Sequence, residues 1–261
     1  MSNNYWAKRI AEAQNRITDK SIKEVDRQMR IYYGKAMKDC IDAFESTYDK
    51  LLATVEAGRD ITPADLYKLD KYWKLQAQMR QELRKLGDKE ISLLSKKFEA
   101  HFFDVYNSWA LEGTAEFSTL SPEMVREMVN TIWVADGKTW SQRIWENTDE
   151  LAVMLNDELI NCVAAGKKTT VLKNLLMARF NVSYNRADAL VRTELAHIQT
   201  QAAQRRYQDY GIQEVEILVD PDDRTCPVCA ALDRKRYPSN AVMPVPAHPR
   251  CRCCISPVID K

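Results

Sequence analysis

Apolar residues return at steps of three and four through the first part of the chain: Trp6, Ile10, Ala13 and Ile17, then Ile22, Val25, Met29, Tyr33, Met37, Ile41, Phe44, Tyr48, Leu52 and Val55. That period, with one slip of phase, predicts a long amphipathic helix. Unbroken from about residue 4 to 57, it would extend on the order of 80 Å. One compact domain does not cover a stripe of that length, so the pattern predicts either a bend near Thr18-Asp19 or a partner protein along the helix.

Gly58 and the pair Thr62-Pro63 supply a stop followed by an N-cap and a proline suited to a first helical turn. A second helix is expected over residues 63–87 and a third from there to about residue 111, joined at Gly87-Asp88 as a hairpin or a kink. After a polar break at 113–119, Ser121-Pro122-Glu123 restarts a short helix through Met124, Met128 and Ile132, which Asp136-Gly137 ends. Residues 139–165 read as another amphipathic helix with Trp140, Ile144, Leu151, Leu155 and Leu159 inward, closed by Gly166. Two further helices are expected, 168–180 with Asn181 as its cap, and 183–210 with Ser183 as N-cap and Gly211 as stop.

The pattern then changes in kind. Residues 214–219 are β-branched and partly alternating, which predicts a strand; Arg236-Tyr237 and residues 254–258 are candidate hairpin pieces, with 243–246 extended between them. The chain has only seven glycines among its 261 residues, in keeping with a mainly helical fold. No apolar run approaches the roughly 18 residues that a membrane-spanning helix requires. The net charge of +1 decides nothing, but residues 167–261 hold fifteen Lys/Arg against ten Asp/Glu. That excess permits contact with nucleic acid or an acidic partner, and a solvated face explains it equally well.

Five of the seven cysteines and one of the three histidines lie in Cys226-Pro227-Val228-Cys229 and His248-Pro249-Arg250-Cys251-Arg252-Cys253-Cys254. A CxxC turn presents two thiolates from one loop, and a second knuckle bearing His and Cys completes a tetrahedral N/S shell of the kind that holds structural Zn2+. The expected ligands are Cys226, Cys229, His248 and Cys251, with Cys253 as the alternative fourth. Strand alternation sends Cys254 to the opposite face and leaves it as a spare thiol. The competing reading is a set of buried or disulfide-bonded cysteines. Disulfides fit less well: the count is odd, Cys40 and Cys162 lie in helical patterns, and no secretory signal precedes them, so a soluble, intracellular protein in a reducing compartment is expected. This segment has little apolar mass, so it needs a metal staple or docking on the preceding helices.

Arg192-Thr193-Glu194 admits a catalytic acid with an anion-binding arginine. It equally admits a helical charge pair or a bond to the C-terminal knuckle, and no nucleophile, phosphate loop or second paired carboxylate accompanies it, which favours the second reading. His101 and His197 read as packing residues, and Asp220, Asp222 and Asp223 as turn formers. The aromatic residues follow helical spacing and are assigned to core and interfaces.

The order of these motifs resembles a known family. Arg192-Thr193-Glu194, Tyr210-Gly211, a strand ending at Asp220, Thr225-Cys226-Pro227-Val228-Cys229-Ala230-Ala231-Leu232-Asp233 and Pro246-Ala247-His248-Pro249-Arg250-Cys251-Arg252-Cys253 are similar to the phage Mu protein F-like, or head morphogenesis, family over roughly residues 150–258. The family has glycine after the Leu-Asp of this knuckle, where this chain has Arg234, so no tight turn is inferred there. The resemblance implies a minor capsid protein of a tailed phage, associated with the portal protein and other head components and contributing to head assembly or DNA delivery. It implies no enzyme and no small-molecule substrate, with phage DNA as a further partner. The location implied is the virion, at the capsid interior or portal vertex, after assembly in the host cytoplasm. A zinc-knuckle nucleic-acid-binding protein is the alternative. The expected organisation is an extended helical region over 1–120 and a head morphogenesis domain over 121–261, with helices at 121–211 and a strand plus Cys/His knuckle at 212–261. The fold class is mainly α with a small C-terminal α+β unit.

Overall fold

The structure, a computed structural model, describes residues 3–55, 63–108, 120–219 and 225–259. Helices α1 (Asn3–Val55), α2 (Pro63–Leu66), α3 (Asp70–Asn107), α4 (Pro122–Val129), α5 (Trp140–Ala164) and α6 (Thr169–Asp209) precede a small α+β segment. That segment consists of β1 (Glu214–Leu218), the single turn α7 (Pro227–Ala230), β2 (Arg236–Pro238) and β3 (Cys254–Pro257). The fold is thus mainly helical with a small C-terminal sheet, as the periodicity predicts. The break at 58–62, the polar stretch at 113–119 and the three aspartates at 220–223 lie outside the described residues.

Three boundaries differ from the sequence reading. First, α1 runs through Thr18-Asp19 without interruption, and its apolar stripe is covered by the chain itself: Val25, Met29, Tyr33, Cys40, Phe44 and Tyr48 are all buried.

Second, Gly87 does not separate two helices; it sits inside α3. A Cβ built there would lie 2.5 Å from the Trp145 ring of α5, so the glycine serves a close helix approach. Third, the expected helices 168–180 and 183–210 are one helix, α6. Ser183 is wholly buried within it, and its carbonyl accepts from Asn147 Nδ2 at 3.0 Å, while its hydroxyl lies 3.4 Å from that of Tyr33. A serine that satisfies itself against neighbouring helices is not available as a cap.

The chain gathers into two compact units, one made of Met1–Asp26, Leu93–Trp140 and Asp188–Lys261, the other of Arg27–Ser92 and Ser141–Ala187. The second unit is a helical assembly whose polar interior includes Tyr33, Asn147 and Ser183, and in which Asn156 accepts from Tyr72 and Gln76.

In the first unit the strands form an antiparallel sheet in the order β2-β1-β3. The two hairpin pieces therefore pair with β1 on either side, Val215 opposite both Tyr237 and Pro257, and not with each other. Four of the five β1 residues and all of β3 are buried, so the sheet is docked on helices. The docking is partly polar. Gln14, Thr18 and Ser21, at one-turn spacings on α1, are buried. Gln14 donates to the Tyr207 hydroxyl of α6 at 2.8 Å, and that hydroxyl donates to the Ile255 carbonyl of β3 at 3.2 Å. Thr18 bonds Gln199, and Ser21 lies 3.0 Å from His101 Nδ1.

His101 Nε2 lies 3.2 Å from the Leu195 carbonyl; since a carbonyl only accepts, Nε2 carries the proton and Nδ1 accepts from Ser21. Burial pushes the His101 ring down to about 4, against the pull of that carbonyl. His197, stacked on Trp133 at 4.0 Å between ring centroids, is likewise pushed down to about 4 by burial. Both rings are neutral in the native state and protonate near 6.5 when unfolded. Their contribution to stability is complete above about 6.5 and is lost as pH falls toward about 4. Urea unfolding should therefore show a midpoint that falls between pH 7 and pH 5. In the variant His101→Gln, whose side chain does not titrate, that fall should be smaller.

Candidate metal centre

The first half of the knuckle is built on α7. Cys226 is the N-cap of this one-turn helix, in extended conformation, and its sulfur accepts from the Cys229 backbone N–H at 3.3 Å. Pro227 occupies the first helical position, where its missing N–H costs nothing. The turn then reverses at Arg234, whose φ of 61° is left-handed. The tight turn does form without glycine: the Arg234 N–H donates to the Ile217 carbonyl at 2.9 Å, and its guanidinium meets Glu216 at 3.1 Å, which ties the knuckle to β1.

The second half is a turn in which the Cys251 N–H donates to the His248 carbonyl at 3.1 Å, with Pro249 and Arg250 at its corners. Cys229 Sγ lies 3.1 Å from His248 Nε2 and 3.7 Å from Cys251 Sγ. Two overlapping groups result, Cys226/Cys229/His248 and Cys229/Cys251/Cys253, each with its ligand atoms within 4.8 Å of one another. Cys229 belongs to both. Cys254 lies elsewhere, buried with Ala7 and Leu218, its sulfur 3.9 Å from the Leu218 carbonyl.

The donor set suits zinc. Two sulfurs bound about 2.3 Å from one tetrahedral zinc lie about 3.8 Å apart, close to the observed Cys229–Cys251 separation. His248 Nδ1 lies 2.9 Å from the Pro249 carbonyl, which holds the proton on Nδ1 and leaves the Nε2 lone pair facing the sulfurs, the usual outer-shell arrangement of a metal-binding imidazole. That bond also raises the His248 pKa. The Cys229 N–H lowers Cys226, and hydrogen bonding from Cys253 lowers Cys251 to about 5 while Cys253 itself is raised. Burial pushes Cys229 up to about 12. The buried group is thus poised between thiol and thiolate, and a divalent cation would take it to thiolate. When bound, zinc would supply the cross-link that this apolar-poor segment lacks.

Of the Arg192-Thr193-Glu194 motif, Thr193 bonds directly to the knuckle. Arg192 Nε contacts both carboxylate oxygens of Asp188, at 2.8 and 3.0 Å. The Thr193 oxygen accepts from the Arg250 N–H at 3.0 Å, and Glu194, 2% exposed, accepts from Trp133 Nε1 at 3.0 Å. Gln204 and Gln208 of α6 donate to carbonyls of Ser239 and Ala241 where the loop leaves β2. Asp188, Gln204 and Gln208 escaped the sequence reading because single polar residues on a helix carry no spacing signal.

A helical scaffold carrying a small sheet and a Cys/His knuckle is the class that this geometry defines. The model of the family described as Phage Mu protein F like protein matches residues 154–256, a stretch that holds every knuckle cysteine and His248. No curated protein and no solved structure matches the chain. No helix of the described residues is long and apolar enough to cross a membrane.

Proposed function

We propose that the chain is a structural minor head protein of a tailed phage. In this reading it sits in the virion at the portal vertex or capsid interior, contacts the portal protein and other head components, and contributes to head assembly or DNA delivery, with phage DNA as a further contact. The observation that carries it is the family match over residues 154–256. The knuckle is then a structural element held by one zinc on Cys226, Cys229, His248 and either Cys251 or Cys253, a role that the clustering of these donors supports. A non-catalytic role is supported by the burial of Glu194 and His101 and by the stacking of His197 on Trp133.

The test is the composition of purified phage particles by mass spectrometry. A few copies per particle are expected. Absence from particles, together with recovery of the chain on intracellular DNA, would overturn this reading in favour of a zinc-knuckle nucleic-acid-binding protein.

A further inference from the structure

Between β2 and β3 the chain crosses fifteen residues, 239–253, without a helix or strand, and the second set of knuckle donors lies at the far end of that crossing. Such a loop has wide conformational freedom, and presenting His248 and Cys251 together requires that freedom to be removed. Helix α6 removes it from outside. Gln204 and Gln208 fix the start of the loop through the Ser239 and Ala241 carbonyls. At the other end Arg250, placed between two candidate ligands, is fixed twice: its backbone N–H by Thr193 Oγ1 at 3.0 Å and its guanidinium by Asp188 at 2.9 Å.

Two features mark Arg250 as more than a surface ion pair. Its φ is 63°, the left-handed region that disfavours any residue with a Cβ, at a turn position where glycine is the easy choice. A side chain kept in a conformation that glycine adopts more readily points to work done by that side chain. In addition, the Asp188 carboxylate it meets is gripped by Arg192 through both oxygens, so the acceptor is held in a fixed orientation. The Thr193 hydroxyl is itself oriented by donating to the Ala189 carbonyl at 2.7 Å.

We propose that Asp188 and Thr193 of α6 form a latch on Arg250 that positions His248 and Cys251 for zinc, so that metal affinity depends on residues that touch no metal. The inference rests on the zinc reading of the knuckle. These are positioning residues. They act by reducing the number of loop conformations in which both donors face Cys229, and by linkage zinc in turn tightens the latch. Outer partners of metal ligands characteristically change affinity by 10- to 100-fold when removed.

The test is zinc affinity of the full chain by competition with a chromogenic chelator, alongside zinc stoichiometry and far-ultraviolet circular dichroism. Thr193→Val and Asp188→Asn are each expected to weaken zinc binding about tenfold, with one equivalent still bound at saturation and unchanged helicity. Thr193→Ser keeps the hydroxyl and should keep the affinity, which a general packing role for the methyl group would not produce. In an Arg250→Gly background, Asp188→Asn should have no further effect, because glycine adopts the turn unaided and leaves nothing for the carboxylate to hold. If the parent chain binds one zinc and both Thr193→Val and Asp188→Asn bind it within twofold of the parent, the latch is overturned and the zinc site stands. If the parent chain binds no zinc, the metal reading fails and takes the latch with it.

Discussion

Replacing Cys229 by serine should abolish zinc binding, while the same change at Cys254 should leave it intact. Cys229 is the sulfur shared by both donor groups, 3.1 Å from His248 Nε2 and 3.7 Å from Cys251 Sγ, so its loss breaks both. The sulfur of Cys254 is turned toward the Leu218 carbonyl and packed with Ala7. Structural zinc in small modules contributes on the order of 10 kcal/mol of apparent folding free energy, enough to decide whether a segment with so little apolar mass is ordered. Elemental analysis should find close to one zinc per parent chain and none in Cys229→Ser. Limited proteolysis should then cut the variant, or the chelator-treated parent, within residues 225–253 while the long helices survive. One equivalent retained by Cys229→Ser would show that the sulfur is not a ligand. Cys253→Ser distinguishes the two choices of fourth donor: unchanged affinity assigns Cys251, and loss assigns Cys253.

The second large effect belongs to Glu90, in the all-helical unit. Its side chain is fully buried in α3, where a hydrogen bond with Tyr33 offsets only part of the lost hydration. Burial pushes the group up to about 8 from its ordinary 4.5, so the native state holds a proton that the unfolded chain releases. A raised acid contributes fully below about 4.5 and loses that contribution as pH rises to about 8. Glu90→Gln, close in shape to the neutral acid, should match the parent near pH 4.5 and exceed it by a few kcal/mol, on the order of the titration span, at pH 8. Denaturant unfolding of both chains at the two pH values measures this directly. A difference that does not change with pH would mean that Glu90 is ionised or solvated in the native state.

The two pH effects run in opposite directions. The histidines of one unit lose stability toward acid and the glutamate of the other loses it toward base, so the chain should be most stable at mildly acidic to neutral pH.

Much of the helical content was legible because 3.6-residue periodicity survives over many turns: α1, α4, α5 and the end of α6 stand close to where the apolar spacing places them. The misreadings came from residues whose usual local meaning was overridden by packing. Gly87 marks a helix end in isolation, yet it is kept small by Trp145. Ser183 is a good cap in isolation, yet it is consumed by Tyr33 and Asn147. For the candidate site, residue type and spacing singled out the Cys and His side chains that the structure gathers, since metal chemistry restricts both. Spacing could not reveal that Cys229 is common to two groups, which depends on how the two turns face each other, or that Arg250 and Thr193, 57 positions apart, connect the ligand loop to α6.

The unit that carries the knuckle is assembled from three separated stretches of chain, and its polar lattice needs Gln14, Thr18 and Ser21 from one end and His101 from the middle. The recognisable segment 154–256 therefore lacks residues that its own packing uses. Transplanted alone, it would leave Tyr207, Gln199 and the outer face of β3 without the helix that covers them. Inheritance should act on the whole: exchanges that separate the first helix from the knuckle should be purged, and substitutions at Gln14 and Thr18 should be answered by changes at Tyr207 and Gln199 nearly two hundred positions away.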